Sequence, residues 1–577
     1  MQIQQLLIAR FSDALGSLGF ENASVPIAKS NKPGFGEYQF NGAMGLAKKL
    51  KQNPRDIAQQ IVEAADLSDM AEKLEVAGPG FINIHLSKAW LSKQVESAVA
   101  DPKLSVTPQT AQTVVVDYSA PNLAKEMHVG HLRSTIIGDA VVKCLSFLGH
   151  KVIRQNHMGD WGTQFGMLLA HLNDKLAQNE VAETALSDLE DFYREAKVRF
   201  DNEEGFADTA REYVVKLQGG DSDCLALWQN FIDVSISHSE EVYDTLNVSL
   251  SRNDVMGESA YNDDLSNVVA SLKEQGIAQE DAGAQVVFLQ ELADKKGNPA
   301  VYIVQKSGGG YLYATTDLAA IRYRSNVLHA DRTLIFTDAR QALHFKQTEI
   351  VARKAGFIGE NEAYQHCPFG MMLGKDNKPF KTRTGGTVKL VDLLHEAIER
   401  AQSLALARNP DITPDKLQEM KTKLGIGAVK YSDLSKNRTT DYVFDWDAML
   451  SFEGNTAPYL QYAYTRTQSI FAKAGVDENS ANAEVSIEHE AEKALALHLL
   501  QFQDAIEIVV RDATPHILCA YMYDLASLFS RFYEACPILK DDVTSAQRNS
   551  RLSLCALSAK TLQQGLDLLG IETLAQM

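Results

Sequence analysis

The feature that most constrains this chain is a strand, a turn and a helix within residues 113–143. The β-branched run at 114–116 predicts a buried strand, Pro121 and Asn122 break it, and apolar residues resume at helical spacing from Leu132. In a parallel α/β sheet, the carboxyl end of such a strand and the start of the next helix form a crevice where nucleotides bind. Free N–H groups at the start of that helix attract phosphate. The pattern therefore predicts an α/β nucleotide-binding domain.

Length and composition limit what surrounds that domain. At 577 residues the chain is too long for one hydrophobic core, and the usual size of domains predicts roughly three or four. Its 45% hydrophobic and 23% charged residues are ordinary for a soluble globular protein. The sequence has no run of 18 apolar residues, and its first residues lack the pattern of a signal peptide. We therefore expect no membrane span and a cytoplasmic location.

Cysteine spacing and net charge exclude further classes. The six cysteines are scattered without a Cys-x-x-Cys pair, which predicts neither a disulfide framework nor a structural zinc site. The net charge of −19 argues against a protein that coats nucleic acid non-specifically, because phosphate contacts need clustered Lys and Arg. The charge alone favours a small-molecule enzyme, although a local basic face on an acidic body stays possible.

Four residues make the turn after the first strand specific: His128, Val129, Gly130 and His131. The two imidazoles are three residues apart and share one face of the first helical turn, and Gly130 has no Cβ to keep a flat base away. A His-x-x-His zinc pair and two surface histidines are the alternatives. The residues resemble the HIGH signature of class I aminoacyl-tRNA synthetases. That resemblance implies that both histidines bind ATP phosphates and stabilise the transition state, with adenine against Gly130.

Residues 1–108 are predicted to form a separate α+β accessory domain. A helix is expected to begin at Asn53-Pro54, where Asn caps and Pro takes the first position, and 81–86 alternates like a half-buried strand. Arginyl-tRNA synthetases carry an N-terminal domain of this kind that touches the corner of the tRNA. The resemblance implies three contacts with tRNA in this domain: Phe40, Asn41 and Asn83.

Residues 109–395 are predicted to form the catalytic domain around the α/β sheet. A second short strand near 152–155 precedes a glycine-rich turn, as in the family stretch after HIGH. From about 171 to 245 the sequence becomes acidic and helical, which predicts an insertion between the two halves of the sheet. The second half is expected to begin near Val248.

Three segments of the second half resemble the arginyl branch of the family: 254–259, 308–318 and 337–345. Tyr313 and Asp317 stand one helical turn apart and share a face. A guanidinium keeps its charge and prefers a planar carboxylate, so Asp317 with the Tyr313 hydroxyl is a suitable receptor, and Glu258 adds negative charge. Taken singly, each acidic residue would more often be a solvated charge. The resemblance implies the other contacts: Asn122 and Gln341 for the α-amino and carboxylate groups of arginine, and His344 for ATP.

The loop at 374–390 is basic and contains glycines. It stands where class I synthetases carry the KMSKS loop that clamps ATP, although a solvated basic loop is the simpler alternative. Two of its cations are assigned to catalysis by the resemblance: Lys381 and Arg383. Aligned on the downstream glycines, the two motif lysines fall on Pro379 and Thr382, which departs from the pattern. In the arginyl branch a lysine just before HIGH compensates, and Lys125 occupies that place.

From 396 the chain is predicted to be all-helical, with junction helices and a loop at 396–455 and a bundle at 456–577. The stretch 424–447 resembles the arginyl junction near the anticodon stem, and the bundle resembles the anticodon-binding domain. A plain helical bundle is the alternative. The resemblance implies phosphate contacts by Lys430, Lys436 and Arg438 and base stacking by Tyr521 and Tyr533.

We therefore identify the chain as a member of the arginyl branch, of bacterial type. The fold expected is α/β: a Rossmann-like parallel-sheet catalytic domain with an N-terminal α+β accessory domain and a C-terminal all-α helical bundle. The resemblance implies attachment of L-arginine to tRNA(Arg) through an arginyl-adenylate, with ATP and Mg²⁺, by a monomer. The first step is expected to require bound tRNA.

Two other functions stay open. A nucleotidyltransferase that adenylates a small molecule suits the charge of −19 but leaves the long helical C-terminal region without a task. An RNA-binding or regulatory paralogue with a decayed active site is favoured slightly by Thr382. It is opposed by five retained residues: His128, Gly130, His131, Asp317 and Gln341.

Overall fold

A computed structural model describes residues 2–30, 34–178, 181–380 and 388–577. The first hundred residues form an antiparallel sheet in the order β1-β2-β4-β3, flanked by helices. Its elements are α1 (Ile3–Ser17), β1 (Ile27–Lys29), β2 (Tyr38–Phe40), α2 (Ala43–Leu50), α3 (Pro54–Ala64), β3 (Ala71–Ala77), β4 (Phe81–Leu86) and α4 (Lys88–Ala100). The side chain of Asn53 accepts the N–H of Arg55, and Pro54 opens α3, which confirms the predicted helix start.

The region of the parallel sheet begins with the strand, turn and helix predicted from 113–143. It starts with β5 (Thr113–Asp117), a 3₁₀ turn (Val129–His131), α5 (Leu132–Phe147) and β6 (Lys151–Gln155). The acidic stretch that follows is helical, as predicted. Its helices are α6 (Gln164–Ala177), α7 (Ala182–Ala185), α8 (Leu189–Asn202), α9 (Phe206–Gln218) and α10 (Ser222–Thr245).

The second half of this region returns to the parallel sheet after a small antiparallel sheet. Its elements are 3₁₀ turns at Arg252–Asp254 and Glu258–Tyr261, α11 (Asn262–Glu274), β7 (Gln279–Asp281), β8 (Ala284–Leu289), a 3₁₀ turn (Gln290–Leu292), β9 (Ala300–Gln305), α12 (Tyr313–Asn326), β10 (Arg332–Ile335), a 3₁₀ turn (Ala339–Gln341), α13 (Ala342–Lys354), β11 (Ala363–His366) and β12 (Met372–Leu373). The strands β7, β8 and β9 pair antiparallel.

The parallel sheet has the order β11-β10-β5-β6. Because β5 pairs with β6 on one side and with β10 on the other, the chain leaves the sheet in opposite directions around β5. Such a switch point opens a crevice at the carboxyl ends of the strands. The α/β class predicted from the sequence is confirmed.

Two hydrophobic cores meet at this crevice. The larger core runs from α1 through α5 and the insertion to the C-terminal helices. A second core lies between α11, β8, β9, α12 and α13. Side chains on α5 and on α12 therefore belong to different packed units that face each other across the carboxyl ends of the strands.

The remainder of the chain is helical with one exception. Its elements are α14 (Leu390–Arg408), α15 (Pro414–Leu434), β13 (Tyr442–Val443), α16 (Trp446–Met449), α17 (Ala457–Ala474), a 3₁₀ turn (Glu478–Ser480), α18 (Glu490–Leu500), α19 (Phe502–Asp512), α20 (His516–Ala535) and α21 (Ser545–Leu568). The prediction of an all-helical region is wrong at β13. That strand pairs in parallel with β12, a partner 70 residues earlier that local periodicity does not reveal.

Within the part of the chain that the structure describes, no helix is long and apolar enough to cross a membrane. The six cysteines are buried thiols. Among the described residues, ion pairs join the N-terminal sheet region to the C-terminal helices, including Lys493 to Glu37 at 2.8 Å, Lys29 to Asp504 at 3.0 Å and Lys88 to Glu490 at 3.0 Å. The N-terminal sheet region is therefore in contact with the C-terminal helices.

Candidate active site

The turn after β5 brings the two histidines together. The Nδ1 atom of His128 accepts the backbone N–H of Gly130 at 3.0 Å, and the Nδ1 atom of His131 accepts the backbone N–H of His128 at 3.1 Å. The ring centroids lie 4.0 Å apart with 35° between the planes. The predicted common face of the two imidazoles is confirmed.

The hydrogen bonds of these imidazoles define their protonation. Burial lowers the pKa of His128, and burial together with the neighbouring His128 lowers the pKa of His131 to about 3. Both rings are therefore neutral at pH 7. Since each Nδ1 accepts a backbone N–H, each proton resides on Nε2. The turn presents two Nε2–H donors.

Gly130 is required by the turn for a reason that the sequence did not reveal. A Cβ at this position would stand 2.7 Å from Cε1 and 2.9 Å from Nδ1 of His128. Any larger residue would displace the His128 ring from its capping position. The absence of a side chain at 130 therefore serves the histidine before it as well as leaving the turn open.

Backbone strain marks the segment between β5 and Asn122. Ser119 and Ala120 have φ angles of 71° and 45°, a region that costs non-glycine residues free energy. The N–H of Ser119 donates to Ser134 Oγ at 2.9 Å, and the N–H of Ala120 donates to Asn156 Oδ1 at 2.9 Å. These bonds hold the strained turn and place the exposed Asn122 at the mouth of the crevice.

Across the crevice, α12 places a carboxylate among histidines. His344 Nε2 lies 2.5 Å from Asp317 Oδ2, and His157 Nε2 lies 3.8 Å from Asp317 Oδ1. Tyr313, one turn earlier on α12, is 63% exposed, and its ring centroid lies 4.7 Å from that of His344. The predicted common face of Tyr313 and Asp317 is confirmed. His344, which the sequence analysis assigned to ATP, lies against Asp317, and its contact with ATP stays a prediction.

Glu258 is brought to the same crevice by a loop that extends the edge of the sheet. Its N–H donates to the carbonyl of Met158 at 3.0 Å. The neighbouring Asp160 carboxylate accepts the Ser259 N–H at 2.8 Å and the Ser259 hydroxyl at 2.6 Å. Burial, with smaller contributions from Asp160 and Asp317, raises the pKa of Glu258 to about 7. Asp317 and Glu258 therefore form an acidic pocket that is suited to a cation.

Three residues that the prediction did not assign support this pocket. His157 and Asp160 are the neighbours just described, and both stand in the glycine-rich turn after β6, which was a usable signal. Arg324 is buried, and its guanidinium pairs with Asp117 at 2.6 Å and donates to Gln155 at 2.7 Å. It thereby fixes α12 against the carboxyl ends of β5 and β6. No sequence pattern singles out Arg324.

The downstream parts of the predicted site also reach the crevice. Gln341 is exposed in the 3₁₀ turn after β10. The N–H of Val129 donates to Val388 at 3.1 Å, and the N–H of Leu390 donates to Met127 at 2.9 Å, so the far end of the basic loop adjoins the histidine turn. Lys381 and Arg383, with Thr382, lie outside the described residues.

The insertion supports the segment just before the histidines. Lys125 is exposed, and its ammonium lies 4.3 Å from the ring centroid of Tyr193 on α8. Glu126 accepts the N–H of Leu189 at 3.1 Å and contacts His238 of α10 at 3.2 Å. The insertion is therefore packed against the crevice, a role that its acidic composition did not predict.

Several predicted tRNA contacts are wrong because their side chains are buried. Lys430 is 1% exposed, and its ammonium donates to the carbonyls of Leu246 and Gly570 at 2.5 and 2.7 Å. Arg438 is buried and donates to the carbonyls of Pro368 and Ala513 at 2.6 and 2.9 Å. Both cations satisfy backbone carbonyls inside the protein, so neither is available to a phosphate in this conformation.

The same correction applies to three further choices: Asn83, Phe40 and Tyr521. Asn83 is 1% exposed on β4, an interior strand, and bonds with Gln39 at 2.7 Å. Phe40 is buried against Phe11, and Asn41 beside it is half-buried. Tyr521 is buried and donates its hydroxyl to the carbonyl of His498 at 2.9 Å. Lys436 is exposed, and Asn41 and Tyr533 are half-buried, so these three stay predictions.

Three family models match consecutive parts of the chain. The model described as "tRNA synthetases class I (R), catalytic domain" matches residues 94–446. The model described as "DALR anticodon binding domain" matches residues 460–577, and "Arginyl tRNA synthetase N terminal domain" matches residues 2–86.

Whole-chain relatives and solved structures agree with those matches. The chain is 70% identical to proteins named arginine–tRNA ligase from Alteromonas mediterranea and Pseudoalteromonas atlantica, with 100% of each chain covered. It superimposes on the arginyl-tRNA synthetase of Plasmodium falciparum with a TM-score of 0.84 at 30% identity, covering 100% of this chain and 99% of that one. The Thermus thermophilus enzyme shares the fold, with a TM-score of 0.82 at 24% identity and 100% of both chains covered.

Proposed function

The chain belongs to the arginyl-tRNA synthetases of class I, and we propose the residues with which it works. It joins L-arginine to tRNA in an ATP-dependent reaction that passes through an arginyl-adenylate. In the first step a carboxylate oxygen of arginine bonds to the α-phosphorus of ATP, and the bond to pyrophosphate breaks. In the second step the 2′-hydroxyl of the terminal ribose attacks the arginyl carbonyl, and AMP leaves with the hydroxyl proton passing to solvent.

The observation that carries the arginine assignment is the acidic pocket at Asp317. A guanidinium cannot deprotonate, so it is best bound by fixed carboxylates in a partly dry site. Asp317 is oriented by His344 at 2.5 Å, and Glu258 supplies a second carboxylate across the pocket. The exposed Tyr313 hydroxyl adds a polar contact at the rim.

Asn122 and Gln341 are assigned to the other end of arginine. Asn122 follows the strained turn after β5, and Gln341 follows β10, so both stand where the carboxyl ends of adjacent strands open. Both are exposed, and an amide side chain both donates and accepts hydrogen bonds. They therefore suit the α-amino and carboxylate groups.

The ATP assignment rests on the protonation of the histidine turn. Each neutral imidazole presents an Nε2–H donor, because each Nδ1 accepts a backbone N–H. Such donors are held in place before the reaction and stabilise negative charge that develops on the α-phosphate. Gly130 leaves room for adenine, and the exposed Lys125 supplies a positive charge beside the turn. Lys381 and Arg383 are proposed to complete the phosphate contacts from the basic loop.

Mg²⁺ is proposed to enter bound to ATP, as part of the substrate. Among the residues described, no cluster of three or more His, Cys, Asp and Glu side chains could hold a metal ion. Magnesium commonly keeps water and phosphate ligands in place of a protein cage, so a site made mainly by ATP fits this crevice.

For tRNA(Arg), the surviving surface candidates are Lys436 in the loop after α15 and Tyr533 on α20. Lys436 is suited to a phosphate and Tyr533 to stacking on a base. We further propose a cytoplasmic monomer. Analytical ultracentrifugation tests the oligomeric state, and a concentration-dependent dimer would contradict it.

The function is tested by exchange of labelled pyrophosphate into ATP with each amino acid, with and without total tRNA. We expect exchange only when arginine and tRNA are both present. Exchange with arginine alone would contradict the tRNA dependence, and exchange with a different amino acid would contradict the pocket assignment.

A further inference from the structure

The stretch 430–445 is here named the junction segment. It carries polar side chains that contact several different parts of the protein. We propose that its Asp433, through Arg133 of α5, positions the two histidines and makes their position depend on the C-terminal helices. Arg133 and Asp433 act as positioning residues, since neither reaches the crevice. This inference rests on the function proposed above, because it concerns the step in which the histidines act.

Arg133 binds both ends of the junction segment. It follows His131 by two residues, in the first turn of α5, and is 1% exposed. Its Nε lies 3.1 Å from Asp433 Oδ2, and its Nη1 donates to the carbonyl of Thr440 at 2.9 Å. Its guanidinium also lies 5.2 Å from the ring centroid of Tyr442.

A buried pair of this kind has little freedom. Removing two charges from water costs several kcal/mol per ion, which only close geometry and additional hydrogen bonds offset. The position of Arg133 is therefore tied to Asp433, and the first turn of α5 moves with it. His131 belongs to the 3₁₀ turn that runs directly into α5.

The same segment is fastened to the C-terminal helices. The Tyr431 hydroxyl lies 2.9 Å from the carbonyl of Cys519 on α20 and 2.5 Å from Asn455 Oδ1. Lys430 joins the ends of α10 and α21 through Leu246 and Gly570. Arg438 donates to the carbonyl of Ala513 at the end of α19. The contacts with Leu246, Gly570, Cys519 and Ala513 are buried, so a shift of the helices must be transmitted to the segment or break bonds.

The segment also reaches the start of the basic loop. Tyr442 and Val443 pair in parallel with Met372 and Leu373, and the N–H of Phe444 donates to Leu373 at 2.9 Å. Lys375 pairs with Asp445 at 3.0 Å. One continuous stretch therefore contacts the first turn of α5, the strand before the basic loop and the C-terminal helices.

The test substitutes Asp433→Asn, which keeps shape and removes charge. Pyrophosphate exchange at saturating tRNA should show kcat lowered by about tenfold or more, since small misplacement of catalytic groups is costly, with KM for arginine changed less than about twofold. The guanidinium receptor, Tyr313 and Asp317, lies on α12, which packs in the other core, so the affinity for arginine should largely persist. If the Asp433→Asn protein is less stable but its kcat is unchanged, the inference is overturned, because the Arg133–Asp433 pair then serves stability alone.

The matched control is Glu492→Gln, which breaks the buried pair of Glu492 with Arg551 at 2.9 Å within the C-terminal helices. It should lower the thermal midpoint without lowering the kcat of exchange at saturating tRNA. A tenfold loss of kcat in this control would overturn the inference, because any buried pair would then have the same effect.

Tyr431→Phe tests the link to the helices and serves if Asp433→Asn does not fold. It keeps the ring and removes the hydroxyl bonds to Cys519 and Asn455. We expect kcat of exchange to fall by roughly threefold to tenfold with KM for arginine unchanged. Wild-type kcat in Tyr431→Phe would overturn the dependence on the C-terminal helices. Lack of exchange by the unmodified protein would instead contradict the proposed function.

Discussion

At the scale of single residues, the chemistry depends on which groups in the crevice carry charge. Asp317 is paired with His344, whereas Glu258 has two acidic neighbours and a raised pKa. Glu258 therefore ionises fully only when a cation binds, which couples binding of that cation to pH.

Substitution Asp317→Asn tests the fixed carboxylate. The neutral amide keeps the shape but loses the charge-assisted contact, which costs about 2–4 kcal/mol and lowers kcat/KM for arginine by roughly 30- to 1,000-fold. Steady-state exchange kinetics measure the change. The control is Asp264→Asn on α11, a carboxylate that pairs with Arg322 at 3.5 Å away from the pocket. A similar loss in both variants would contradict the assignment.

The raised pKa of Glu258 predicts pH-dependent binding of arginine. The cation favours the ionised carboxylate, so affinity rises as pH increases from about 6 to 8, and binding below pH 7 releases a proton. Calorimetry in two buffers of different ionisation enthalpy at pH 6.5 measures that proton.

Glu258→Gln supplies the control for this pH dependence. It should remove the proton release attributed to position 258 and flatten the rise in affinity between pH 6 and 8. Equal release in both proteins would assign the titration to another group, such as Asp160, whose pKa burial also raises.

At the scale of elements, the crevice depends on how closely α5 packs on β5. Gly138 of α5 lies against Tyr118, and a Cβ there would overlap the Tyr118 side chain. Tyr118 also donates to the buried Asp139 at 3.1 Å. Helix α5, which begins after the histidines, therefore packs so closely against Tyr118 that only glycine fits at position 138.

Gly138→Ala is expected to destabilise the catalytic region by about 1–3 kcal/mol, because the added methyl group overpacks this contact. The midpoint of urea unfolding should fall, and KM for ATP should rise as α5 is displaced. Gly45→Ala on α2 is the matched control. Its Cβ would meet nothing within 4 Å, so it should be neutral or stabilise by up to about 1 kcal/mol. Equal effects of both changes would contradict the packing argument.

At the scale of the whole molecule, the N-terminal sheet region is docked on the C-terminal helices by polar contacts. Lys493 and its partner Glu37 are largely buried, whereas Lys88 and Glu490 are mostly solvated. Removing one partner of a buried pair leaves an uncompensated buried charge. A solvated pair contributes little to stability.

Lys493→Met should therefore weaken the docking by about 1–3 kcal/mol, and Lys88→Met by less than about 0.5 kcal/mol. Amide hydrogen exchange of the strands β1 to β4 measures the docking, and it should accelerate in the first variant only. Acceleration of equal size in Lys88→Met would show that burial of the pair is not the deciding factor.

A feature of the fold or of the site was predictable when the residues that produce it are close together in the sequence. Asn53-Pro54 as a helix start and Tyr313 with Asp317 on one face were predicted correctly, because both depend on residues within one turn. Arg324 was not predictable, since its partner Asp117 lies 207 residues earlier. Lys430 and Arg438 were misassigned because a cation in a polar stretch reads as solvated unless its distant carbonyl partners are known.

The sequence by itself determined the α/β class, the strand–turn–helix with its two histidines, the helix start at Asn53-Pro54 and the common face of Tyr313 and Asp317. Each of these depends on residue type and on spacing over a few positions. Only the tertiary structure decided which cations are buried and that His344 lies against Asp317. It also decided that burial raises the pKa of Glu258 to about 7 and that the junction segment contacts both α5 and the C-terminal helices. Burial and electrostatic environment are produced by residues hundreds of positions apart, whose approach no local pattern encodes.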